Sequence, residues 1–152
     1  MSHDTYLIAL RMLARRELSE AQIRQRLAKR GESRESIDEA VGRLKAERSI
    51  DDERVAGAIA RTQAAGRNRG RRRVMQQIEA AGIDKSIAAR AVDQVFQDID
   101  PDALLSASLE KRMRGRERIA DDREFQRLFR YLSAQGFEAD KILLHLRKYQ
   151  PR

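Results

Sequence analysis

A chain of 152 residues with 37% charged and 41% hydrophobic residues is too apolar, and too regularly patterned, for a disordered tail. It has no cysteine and no tryptophan, which excludes disulfides and thiolate metal centres and fits a reducing cytoplasm. A net charge of +8, carried by 26 arginines against 6 lysines, points to a polyanion or an acidic protein surface as partner.

The first helix is predicted from about Asp4 to Arg16, with Leu7, Leu10 and Leu13 at three-residue steps and Tyr6, Ala9 and Met12 beside them. Asp4 precedes this apolar patch and Arg11 interrupts it, so it reads as neither a secretory signal nor a membrane span. Ser19 is placed as an N-cap with Gln22 as its capping-box partner. The second helix carries Ile23 and Leu27 and stops at Gly31, a candidate left-handed residue. Ser33 caps a third helix whose apolar face is Ile37, Val41 and Leu44.

The pattern then recurs. A fourth helix starts near Asp51 and Asp52 and presents Val55, Ala56, Ile59 and Ala60; Ala65 to Gly70 reads as a loop. The fifth carries Val74 and Ile78 and stops at Gly82. Asp84 caps the sixth, which presents Ile87, Ala91, Val92 and Val95. A third round begins with Asp100 as cap and Pro101 at the first helical position. It continues with Leu104, Leu105 and Leu109, a charged segment from Lys111 to Asp122, Leu128 and Leu132, the Gly136-Phe137 stop, and a last helix with Ile142, Leu146 and Tyr149.

Aligned on Gly31, Gly82 and Gly136, which are 51 and 54 residues apart, the three rounds coincide. Eight residues before each glycine stands Ile23, Val74 or Leu128, and four before stands Leu27, Ile78 or Leu132. Five or six after stands Ile37, Ile87 or Ile142. This predicts an all-α fold, an elongated array of three tandem three-helix repeats, with boundaries at 1–49, 50–99 and 100–152.

Seven arginines and no acid lie between Arg54 and Gln77: Arg54, Arg61, Arg67, Arg69, Arg71, Arg72 and Arg73. The last three fall in the first turn of the fifth helix, where cations oppose the helix dipole at about 0.3–1 kcal/mol each. That placement suggests a bound anion, although a solvated charge run explains it too. A second basic group, Lys111, Arg112, Arg114, Arg116 and Arg118, sits in the matching connection of the third repeat, so the two are expected to form one stripe. Arg54, Arg61, Arg67, Arg69, Arg71, Arg72, Arg73, Arg112, Arg114 and Arg116 are the candidate binding residues. Few aromatics are near them in sequence, which offers no evident base-stacking platform.

Nothing in the chain resembles catalytic machinery. Gly66 and Gly70 are not followed by Gly-Lys-Ser/Thr, no strand precedes them, and no nucleophile–base pair is evident. Asp51, Asp52 and Glu53 read as helix-start acids. His3 and His145 are isolated, so no metal site and no cofactor are expected.

The phrase Ile50-Asp51-Asp52-Glu53-Arg54 with Ala56, then Gly70 to Val74, Ile78-Glu79 and Gly82-Ile83-Asp84, resembles the central signature of the RecX regulatory proteins. Leu10 to Leu27 with Ser19, Leu44, and Gly136-Phe137 followed by Ile142 fit as well. Departures are Val55 in place of an aromatic, Arg72 in place of a frequent Pro, and Ala81 in place of a common Lys. The resemblance implies tandem three-helix repeats and a cytoplasmic, non-enzymatic modulator of RecA recombinase. Such a protein inhibits by lying along the groove of the RecA–DNA filament or by blocking filament growth at an end. Expected partners are therefore the RecA filament and single- or double-stranded DNA, the latter weakly and without sequence preference; the chain is expected to be a monomer. The alternative from a different class is a stand-alone helix-turn-helix transcription regulator, which predicts sequence-selective duplex binding.

Overall fold

The computed structural model describes residues 2–150, with side chains from residue 4, so the outer ends of the first and third repeats and the His3 side chain lie outside the described residues. Among the described residues there are nine α-helices and no strand. The helices are α1 (Ser2–Arg15), α2 (Glu20–Lys29), α3 (Arg34–Ala46), α4 (Asp52–Arg61), α5 (Arg71–Ala80), α6 (Lys85–Asp98), α7 (Pro101–Met113), α8 (Asp122–Ala134) and α9 (Ala139–Arg147). No helix is long and apolar enough to cross a membrane.

Local chemistry sets most boundaries. Ser19 and Gln22 form the reciprocal capping box that starts α2. Ser33, Asp51, Asp84, Asp100 and Asp121 each accept a bond from a backbone N–H of the helix they precede. Gly31, Gly82 and Gly136 have φ of +89°, +76° and +99°, and each ends the second helix of its repeat. At the first of these, the N–H of Gly31 donates to Ala28 and that of Glu32 to Leu27, the paired bonds of a Schellman turn.

Two readings of the connections change. The chain does not leave helical geometry at Ala65: a π-helical turn, Thr62–Gly66, continues α4 and keeps Gln63 and Ala64 buried. α7 also runs to Met113, so Lys111 and Arg112 are on a helix. The open connection shrinks to residues 114–121, starting with Arg114 at φ +52°.

One apolar cluster holds α1–α3 together, built on Tyr6, Ala9, Leu18, Ile23, Leu27, Val41 and Leu44. A second, continuous cluster spans α4–α9 and contains Val74, Ile78, Leu105, Leu109, Leu132 and Leu146. Burying each of these large side chains contributes about 1.5–3 kcal/mol. Accessible surface is 9850 Å², against roughly 7,900 Å² for a compact globule of this mass. The excess is what an elongated array exposes.

Successive repeats meet through one kind of joint. The turn that ends α5 sits on the start of α2: the Ser19 hydroxyl donates to the Ala81 carbonyl, and a Cβ on Gly82 would lie 2.5 Å from that of Ala21. The turn that ends α8 sits likewise on the start of α5: Gly70 N–H donates to Gln135 O at 2.8 Å, and Gly136 abuts the backbone of Arg73. The second helices of the three repeats therefore follow one another end to end.

Candidate basic interface

The arginine segment divides into residues with internal partners and residues without them. α5 begins at Gly70, which supplies no side-chain cap, yet its first amides are not left open. Gly70 N–H is taken by Gln135 O, and Arg72 N–H donates to Gly136 O at 3.3 Å. The Arg72 guanidinium reaches back to Ser133 O at 3.1 Å, Ser133 Oγ at 3.3 Å and Phe137 O at 3.5 Å. A cation at the unfavourable end of α5 is thus a cation at the favourable end of α8, where it gives the Ser133 and Phe137 carbonyls a charged donor. No bound anion is needed to account for it.

Arg71 pairs with Asp93 and lies 5.5 Å from the Phe96 ring centre. Arg54 binds Glu17 at 2.7 Å and the carbonyls of Arg48 and Ser49, so it fastens the α3–α4 connection to the α1–α2 connection. Arg116 pairs with Glu124 and donates to Met113 O. Arg69 is half-buried and donates to Gln63 Oε1 at 2.6 Å. Burial, then the neighbouring charges of Arg73 and Arg67, pull its pKa below the usual arginine value.

Arg61, Arg67, Arg73 and Arg114 make no side-chain hydrogen bond or ion pair among the described residues. Arg112 lies over the Tyr131 ring at 3.8 Å. Tyr131 is also within electrostatic reach of Arg69, and Ser108 Oγ of α7 donates to Asn68 O at 3.1 Å. Through the Ser108–Asn68 bond the 67–73 segment lies against α7, whose last turn carries Lys111 and Arg112. Aromatic rings do stand beside arginines here, but Arg112 and Arg71 already occupy a face of each.

One basic element escaped the sequence reading. Arg123, Arg127 and Arg130 recur at i, i+4 and i+7 on α8, all exposed. The spacing was legible; the acids Asp121, Asp122 and Glu124 around it disguised the row. Asp121 is a cap and Glu124 is taken by Arg116 and the Ala120 N–H, so two of those acids have structural work. Arg130 and Arg73 both line an open cleft of about 530 Å³ between α5 and α8.

The acids near α4 are also spoken for. Asp51 caps α4, Asp52 accepts from the Glu20 N–H at 2.9 Å, and Glu53 pairs with Arg90 at 3.0 Å. Among the described residues no group of three His, Asp or Glu side chains is placed to hold a metal ion. His145 is buried, with Ser106 Oγ 3.3 Å from Nδ1 and Asp102 3.7 Å from Nε2. A helix-turn-helix protein reads bases with the first residues of its second helix. Here the first turns of α2 and α5 are covered by the Gly82 and Gly136 turns.

The family model of the RecX first three-helix domain matches residues 6–44. The regulatory protein RecX of Syntrophotalea carbinolica is 32% identical over 135 residues, covering 88% of each chain. That of Halorhodospira halophila is 31% identical over 135 residues, covering 88% of this chain and 81% of its own. The crystal structure of RecX from Lactobacillus salivarius superposes with a TM-score of 0.81 at 19% identity, covering 96% of both chains. A second crystal structure, of a regulatory protein RecX, gives 0.78 at 21% identity over 96% of this chain and 71% of that one. These two likenesses carry the fold alone.

Proposed function

The chain belongs to the RecX family of regulatory proteins, and from that premise we propose that it binds the RecA–DNA filament in the cytoplasm and inhibits RecA. The action is by binding and not by turnover. A monomer lays its three repeats, at residues 1–49, 50–99 and 100–152, along the filament and opposes the strand exchange, ATP hydrolysis and repressor cleavage that depend on it. The observation that carries this is the contact of the 67–73 segment with α7, whose last turn carries Lys111 and Arg112, on an array more extended than a globule. An extended basic strip suits a groove lined by acidic protein and DNA phosphate. Within that strip the free side chains Arg61, Arg67, Arg73 and Arg114 are the contact residues, with Arg69 and Arg112 beside them. Arg54, Arg71, Arg72 and Arg116 hold the array in shape. RecA-catalysed ATP hydrolysis on single-stranded DNA tests the proposal: hydrolysis should decline when the protein is added.

A further inference from the structure

The cleft between α5 and α8 lies beside the strip just described and is not explained by packing. It is lined by Arg72, Arg73, Gln76, Phe129, Arg130 and Ser133 together with Ala134, and no acid is among these residues. Arg72 is committed to the carbonyls at the end of α8. Arg73 and Arg130 have no side-chain hydrogen bond or ion pair among the described residues, so two unneutralised arginines line one open cleft. Like charges so placed repel, and a sequence under no other demand would pair them or separate them.

The cleft also continues outward. Arg127 and Arg123 precede Arg130 on the same face of α8, at axial steps of about 4.5 and 6 Å. Arg127 feels Glu124, but Arg116 already neutralises that carboxylate. The result is a row of three exposed arginines leading into a pair-lined cleft. Guanidinium groups bind phosphate bidentately, and a row of them matches a repeating phosphate chain better than a single anion.

We propose that Arg73 and Arg130, with Arg123 and Arg127 as the approach, bind the phosphodiester backbone of nucleic acid, contacting phosphate without reading bases. This rests on the filament-binding function only in supposing that DNA is within reach. An acidic protein surface is the less suitable occupant. A protein interface needs an apolar centre, and the large exposed apolar residues, Leu7 and Leu144, are on α1 and α9.

The test uses the full chain and a fluorescent oligonucleotide, as single strand and as duplex, titrated across a salt series. In the R73Q/R130Q variant, affinity at fixed moderate salt should fall about tenfold or more. The slope of log K against log salt should lose about 1.8 on duplex or about 1.4 on single strands. R123Q/R127Q, on the exposed face of α8, should lower the slope in the same sense and serves if the first variant fails to fold. Unchanged affinity and slope in folded variants would overturn the proposal. So would intact DNA binding with lost binding to RecA filaments, which would make the occupant protein. If the wild type shows the slope but leaves RecA untouched, the cleft stands and the regulatory function falls.

Discussion

Arg72 shows how one residue serves two helices. Its position in the first turn of α5 is readable from sequence, and so is the penalty for a cation there. Its compensating partners, Ser133 and Phe137, are 61 and 65 residues away and are invisible until the joint is built. Arg72→Ala should therefore lower stability by about 1–2 kcal/mol in urea denaturation, because the α8 carbonyls lose a charged donor. Glu124 is the second residue whose role depends on a fold contact. The Arg116 guanidinium, then the Ala120 N–H, hold its carboxyl below the ordinary glutamate value of 4.5. A depressed folded-state pKa gives stability that is fully present above the ordinary value and is lost as pH falls through the folded one. Acid unfolding followed by circular dichroism should show that loss below about pH 4.5 in the wild type. Glu124→Gln should be less stable at neutral pH and flatter across the acid range.

At the scale of elements, helix number, caps and Gly stops were legible because each rests on a local rule. Ser19 with Gln22, Ser33, Asp51, Asp84 and Asp100 all cap where their side chains predict. The π-helical turn was not legible, since Ala65, Gly66 and Gly70 look like loop residues while burial of Gln63 and Ala64 decides the matter. Nor was the second use of the glycines. Gly31 has positive φ and open space around it, whereas Gly136 has positive φ and the Arg73 backbone against it. Gly31→Ala should cost only the backbone term, about 1–2 kcal/mol. Gly136→Ala should add overpacking of another 1–3 kcal/mol, visible as a much larger drop in thermal midpoint. The residue after each glycine follows the same logic. Ile83 and Phe137 are buried where joints form, while Glu32 follows Gly31, whose surroundings are open.

For the whole molecule, the tandem period announced an array, but not that its core is divided unequally. Repeats two and three share one apolar cluster, and the first repeat has its own. The first is tied on by polar contacts, among them Ser19 to Ala81, Glu20 to Asp52 and Arg54 to Glu17. Charge followed the same course: the excess was legible, but the sorting of arginines into those with internal partners and those without needed the fold, and the α8 row was hidden among acids. What the array leaves outward is a basic surface, on a chain of a regulatory family. The most direct measurement is the time course of RecA-catalysed ATP hydrolysis on single-stranded DNA, with this protein added at increasing ratios to RecA. Progressive, dose-dependent loss of hydrolysis is the predicted result. An unchanged rate at protein in excess over RecA, under salt low enough for the wild type to bind, would contradict it.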